Sequence, residues 1–319
     1  MPIVDMPLEE LYCYTGRNPR PSDFDQYWDT ALAEMRATDP RIELVPAEVK
    51  LPFAELYDLY FTGVGGARVH AKYLRPKAGG APHPAIVYFH GYTCSSGDWF
   101  DHLGWVGQGF SVAALDCRGQ GGMSEDVGGT TGNTFCGHII RGLYDAPEKL
   151  LYRSIFLDCA QLAGIVMQMP EVDPKRVGAT GQSQGGGLTL ACAALEPRIK
   201  QAAPLFPFLS DYLRVWEMDL AKGAYAEISS YFRMFDPRHE RESEIFTKLG
   251  YIDIQHLANR IKAEVLMPFG LMDSTCPPST MFAAYNKITS KKNLLIYPDF
   301  AHEQLPGVND KIMQFMCAM

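Results

Sequence analysis

Between Val177 and Leu190 an apolar run ends in Gly181-Gln182-Ser183-Gln184-Gly185, and a small-residue pattern of helical type follows. Strand, sharp turn and helix form the setting of a nucleophile elbow. There the serine is exposed at a strained apex, and the glycines let strand and helix pass without a side-chain clash. Serine between glycines also occurs in plain strand-to-helix turns, so the motif gains meaning only from partners. A serine hydroxyl is a weak nucleophile near neutral pH. It needs a base that titrates near neutrality and a carboxylate to orient that base.

His302 is the candidate base: it lies in the loop Tyr297-Pro298-Asp299-Phe300-Ala301-His302-Glu303 after the last predicted strand, where an α/β-hydrolase carries its histidine. The alternative is a surface-loop histidine. Asp273 follows the penultimate strand and is the candidate acid, with Asp299 as competitor; a residue three before the histidine in one loop does not readily face its ring. The tetrahedral oxyanion of acyl transfer needs two N–H donors. The Gln184 backbone supplies one, and the turn His90-Gly91-Tyr92 after an early buried strand supplies the other through Tyr92, unless it is only a tight turn. Arg118, Asp116 and Glu303 are expected to hold loops by hydrogen bonding. Cys94 and Cys276 read as buried thiols. No metal constellation is read, because His302-Glu303 leads into Pro306 and not into a second histidine at zinc-protease spacing.

The elements that must position these residues alternate along the chain. Pro21-Ser22-Asp23-Phe24-Asp25 opens a helix, with Ser22 as cap, Asp25 at capping-box spacing, and Phe24, Tyr27, Trp28, Leu32 and Met35 on one face. Two alternating runs, 56–61 and 69–74, flank Gly63-Val64-Gly65-Gly66 as a hairpin does, and a polar loop follows to His83. Continuous apolar runs at 84–90 and 110–116 read as strands buried on both faces. A helix near 99–108, a long Gly-rich stretch to about Glu148 that suits a functional loop or an oligomer contact, and a helix over 154–169 precede the elbow. Strands at 200–206, 265–269 and 294–297 and helices at 278–287 and from Val308 complete the alternation. Repeated strand-helix units predict an α/β fold with a doubly wound, mostly parallel sheet and ligands at the strands' carboxyl ends. The whole of 1–319 reads as a single domain. Residues 1–80 form a helix and hairpin extension, and the aromatic-rich 207–257 segment forms a helical cap over the site. Its aromatic side chains suit either sugar stacking or packing of cap on body.

Bulk properties bound the partners. A chain of 319 residues, 47% hydrophobic, is long enough for a large core. A net charge of -8 without a Lys/Arg cluster argues against nucleic acid and anionic membranes, and a small neutral substrate fits better. No basic, apolar leader and no membrane-length apolar run is read, and eight scattered cysteines without a CxxC pair suit reduced thiols. Together these lead to the expectation of a cytoplasmic protein.

Arg118-Gly119-Gln120, Gly181-Gln182-Ser183-Gln184-Gly185 and His302-Glu303 in that order, with Pro21 to Trp28, His90-Gly91-Tyr92 and Ala283-Ala284-Tyr285-Asn286, resemble the carbohydrate esterase family that joins acetyl xylan esterases and cephalosporin C deacetylases. The likeness spans essentially the whole chain. It implies an α/β-hydrolase fold, deacetylation of small substrates such as acetylated xylo-oligosaccharides, no cofactor, a triad at Ser183, Asp273 and His302, and an oxyanion hole at Tyr92 and Gln184. It further implies a ring-shaped homohexamer with sites facing an inner cavity, to which the segment from Gly121 to about Tyr152 contributes. A general short-chain carboxylesterase and a prolyl-oligopeptidase-like peptidase share Gly-x-Ser-x-Gly, though the latter normally needs a propeller that this chain has no room for. A non-catalytic binder on the same fold is the reading from another class.

Overall fold

The computed structural model describes residues 4–77, 82–130 and 133–319. After the short α1 (Leu8–Leu11), the striped sequence forms α2 (Phe24–Ala37), which buries Phe24, Tyr27, Trp28, Ala31 and Leu32. Trp28 stacks on Phe156 at 5.8 Å between ring centres, fixing the helix to the body. Its N-terminus differs from expectation. Asp23 occupies the cap position, but its side chain accepts from the Tyr251 hydroxyl and not from the helix's own N–H groups, and Asp25 is drawn outward to Arg20 and Arg260 instead of closing a capping box with Ser22.

The strands β1 (Glu43–Pro46), β2 (Ala54–Thr62) and β3 (Arg68–Pro76) run antiparallel, with β2 and β3 joined at the expected glycine turn. Of the polar loop expected to lead to His83, residues 78–81 lie outside the described residues, as do 131–132 of the long Gly-rich segment. β4 (His83–Phe89), α3 (Leu103–Gly107), β5 (Ser111–Leu115), α4 (Leu151–Val166), β6 (Val172–Gln182), α5 (Gln184–Leu195) and β7 (Gln201–Leu205) follow. The segment 207–257 is helical, with α6 (Tyr212–Glu217), α7 (Ala226–Phe235), α8 (Glu242–Leu249) and α9 (Ile254–Leu257). β8 (Glu264–Gly270), α10 (Pro278–Tyr285), β9 (Lys292–Tyr297) and α11 (Val308–Met316) end the chain.

Among the described residues, all nine strands join one sheet in the order β1-β2-β3-β5-β4-β6-β7-β8-β9, parallel from β5 to β9. This is a mostly parallel α/β sheet of the α/β-hydrolase type. After His83 and Ser111, β4 and β5 are apolar because sheet and helices cover both faces, and α4 and α5 pack on each other and on the central strands. From β4 the chain first moves outward to β5 and then returns past β4 to β6. The reversal leaves a crevice at the carboxyl ends of β4 and β6.

Candidate active site

The register across that crevice sets the first distances. Phe89 pairs with Gly181, so His90-Gly91-Tyr92 leaves β4 directly beside Gln182-Ser183-Gln184 leaving β6. The approach is too close for side chains: a Cβ on Gly181 or Gly185 would stand 2.3 or 2.0 Å from the Phe89 carbonyl oxygen. Ser183 adopts φ 56° and ψ −118°, a strained conformation for a residue with a Cβ. β7 holds it there. The Ser183 N–H donates to Leu205 O at 3.0 Å, and its own carbonyl accepts from Phe208 N–H at 2.9 Å.

Two further loops bring the partners. Gly270 is paired with Tyr297, and Leu271 N–H and Met272 N–H donate to Tyr297 O and Phe300 O at 3.1 and 3.0 Å. The loops after β8 and β9 are thereby tied together. His302 Nε2 lies 3.0 Å from Ser183 Oγ and its Nδ1 lies 2.7 Å from Asp273 Oδ2. Asp273 is fully buried, and its Oδ1 accepts the N–H groups of Thr275 and Cys276 at 2.8 and 2.7 Å. A carboxylate offers only acceptors, so Nδ1 carries the proton and Nε2 is left to accept from the serine hydroxyl. The competing Asp299 is exposed. Phe206 packs on the imidazole at 4.6 Å, and Glu303 accepts Ala301 N–H at 2.9 Å, bracing the turn that carries His302.

Among the described residues, neither the Tyr92 nor the Gln184 backbone N–H donates within the protein, so both donors are free. Tyr92 sits in a turn closed by Cys94 N–H to Gly91 O at 3.2 Å, in which Thr93 takes φ 62°, a strained value for a β-branched residue. Its ring is wedged between His138 and Phe208, at 5.0 and 5.9 Å.

A side-chain network ties these two donor segments together, and sequence reasoning missed it. Gln184 Oε1 accepts from Gln120 Nε2 at 2.8 Å and from Tyr152 Oη at 2.6 Å. Gln184 Nε2 donates to Gln120 Oε1 at 3.1 Å and lies 3.4 Å from the His90 and Gly91 carbonyls. Gln120 Oε1 also accepts Thr93 N–H at 2.9 Å. A long amide directly after the elbow serine, with a second amide in Arg-Gly-Gln, was the available signal.

Arg118 does hold structure by hydrogen bonding. It makes two bonds of 2.7 and 2.6 Å to buried Asp158 and one of 3.1 Å to Val64 O. Asp116 accepts Ser96 N–H and Met123 N–H and pairs with His70 Nδ1 at 2.6 Å. Burial opposes its charge, yet these partners hold its carboxyl well below the usual range. His90 is fully enclosed and burial lowers its pKa; its Nε2 accepts Cys117 N–H at 3.0 Å. One expectation is corrected: Cys94 is exposed, because the strained turn at Thr93 swings it outward, while Cys276 is buried. Asp273, Cys276 and His302 each offer one atom within 4.8 Å of the others, the arrangement of a possible cation site. His302 and Asp273 are already bonded to each other, and burial pushes the Cys276 thiol up, away from the thiolate form that binds metals.

The aromatic side chains of the 207–257 segment are mostly turned inward. Phe208, Tyr212, Tyr225, Tyr231 and Phe232 are buried, and Phe208 meets Tyr225 at 4.3 Å. Packing, not open sugar faces, explains them.

The family model described as acetyl xylan esterase (AXE1) matches residues 1–319. The crystal structure of acetyl xylan esterase 1 from Thermoanaerobacterium sp. JW/SL YS485 is 63% identical, with a TM-score of 0.95 over 98% of this chain and 99% of that one. The acetyl xylan esterase from Paenibacillus sp. R4 is 37% identical, with a TM-score of 0.92 over the same shares. A curated relative, acetyl esterase Axe7A of Xylanibacter ruminicola, is 26% identical over 292 residues; the match takes in 88% of this chain and 63% of that relative's length.

Proposed function

The chain belongs to the acetyl xylan esterase family, and on that premise we propose that it is a serine esterase that removes acetyl groups from small acetylated saccharides. The observation that carries this is the continuous relay Ser183–His302–Asp273, with spacings of 3.0 and 2.7 Å, at the crevice where the strand order reverses. Ser183 Oγ attacks the acetyl carbonyl carbon as its proton passes to His302 Nε2. Asp273 steadies the imidazolium, and the Tyr92 and Gln184 N–H groups receive the oxyanion. The C–O bond to the sugar breaks and the sugar oxygen takes the proton from His302. Water then gives a proton to the same nitrogen, attacks the acetyl-serine carbonyl, and releases acetate with the serine restored.

Acetylated xylo-oligosaccharides are the favoured substrates, and cephalosporin C, an acetyl ester on a compact leaving group, falls in the same class. No cofactor takes part in this scheme. The reading extends to a homohexameric ring. Its support is the set of exposed apolar side chains Val127, Phe135, Tyr144, Met234 and Phe235 on the long Gly-rich segment and α7, of which Tyr144 and Phe235 meet at 5.9 Å. Light scattering on the purified protein tests it: a six-chain mass is expected, and a monomer overturns it. Eight free thiols suit a cytoplasmic location. Acetate release from acetylated xylo-oligosaccharides, followed with wild type and Ser183→Ala, tests the function. Wild-type release that vanishes in the variant is expected. Release that persists in Ser183→Ala, or none from wild type, overturns the proposal.

A further inference from the structure

Beside the serine's own cleft lies a larger cavity. The cleft lined by Ser183 and His302 has a volume of about 290 Å³. The groove between α3 and α11 has about 520 Å³, within the range of small-molecule sites. Gln182, Leu205 and Asn309 line both, so the two adjoin at the end of the strand that carries the nucleophile. An acetyl group is far too small to account for the second volume.

The groove's chemistry narrows its occupant. Tyr88 and Trp105 supply aromatic surface, Asp101 and Asp310 supply carboxylates, and Gln182 and Asn309 supply amides. Among the described residues, the side chains of Gln182, Asn309 and Asp310 and the Tyr88 hydroxyl bond to no other protein group, so they are available to a ligand. Apolar ring faces flanked by planar acceptors and donors match a pyranose, which carries C–H faces and an equatorial belt of hydroxyls. The lining holds two carboxylates and no Lys or Arg. Anionic ligands are therefore repelled and a neutral polyol is favoured.

We infer that this groove is the saccharide subsite of the esterase: it takes the neutral xylosyl residues of the leaving group while the acetyl carbon lies at Ser183. The inference rests on the esterase reading, and the two can fail separately. Xylotriose is titrated calorimetrically into the full-length Ser183→Ala protein, which cannot turn over an ester. Saturable binding is expected, weakened about fivefold by adding Trp105→Ala, the loss of one aromatic platform. A xylo-oligosaccharide bearing a uronic acid is expected to bind more weakly than xylotriose, and Asp310→Asn, at an exposed helix position that threatens the fold least, is expected to narrow that difference. In turnover, Trp105→Ala and Asp310→Asn should lose more kcat/KM on acetylated xylotriose than on p-nitrophenyl acetate, through KM. Equal losses on both esters, or no xylotriose binding by the Ser183→Ala protein, overturn the subsite alone. A wild-type protein that hydrolyses neither ester overturns the esterase reading beneath it.

Discussion

Asp273 illustrates how one carboxylate fixes a tautomer. Its Oδ1 is committed to two backbone N–H groups and its Oδ2 to His302 Nδ1. An asparagine there would keep its oxygen on the backbone donors and turn its NH₂ toward Nδ1, which forces the ring proton onto Nε2. A protonated Nε2 cannot accept from Ser183. Asp273→Asn is therefore expected to lower kcat on p-nitrophenyl acetate by about 10⁴-fold with KM changed far less and the fold intact by circular dichroism; a loss under tenfold would contradict the assignment. That Ser183, Asp273 and His302 meet was legible because each stands at a strand end in the chain order of such a relay. The reciprocal amide pair of Gln120 and Gln184 was not, since its members lie 64 residues apart and only packing reveals that they meet.

At the scale of elements, the site depends on β4 and α5 passing closer than any side chain allows. Gly185→Ala puts a Cβ 2.0 Å from the Phe89 carbonyl oxygen, a backbone atom that cannot swing aside. A destabilisation of about 3 kcal/mol is expected, read as a lower urea midpoint, together with lost activity as the Tyr92 loop shifts; an unchanged midpoint would mean that the strand and helix are looser than described. Strands and helices were largely readable because their apolar periods are strong. The start of α2 was misread for a physical reason: Ser22 and Asp25 fit a local capping pattern, but Arg260, distant in sequence, supplies a guanidinium that takes the Asp25 carboxylate. The strained, outward turn at Thr93 likewise leaves no trace in residue type.

Across the whole molecule, buried ionic groups couple distant segments. Arg118 and Asp158, both almost completely buried, bind the turn after β5 to α4, and the guanidinium also holds Val64 of the hairpin. Asp158→Asn leaves that charge partly uncompensated and is expected to cost about 3–5 kcal/mol in urea unfolding; a change below about 1 kcal/mol would contradict it. Asp253, fully buried at the start of α9, is pushed up to about 7 by burial and by the charge of nearby Asp211. Below about pH 4 folded and unfolded chains both keep this proton, and its contribution to stability is complete. Between about pH 4 and pH 7 the unfolded chain releases the proton while the folded one retains it, so stability falls as pH rises, by up to about 1.4 kcal/mol per unit. Asp253→Asn should flatten that slope in urea midpoints taken across the window; an unaltered slope would assign the pH dependence elsewhere. The most direct test of the central claim is kcat/KM for p-nitrophenyl acetate, butyrate and octanoate, with Ser183→Ala as control. A steep fall from acetate to octanoate, with all turnover lost in the variant, is the expected result. Rates that rise with chain length, or turnover that survives without the Ser183 hydroxyl, would contradict the account.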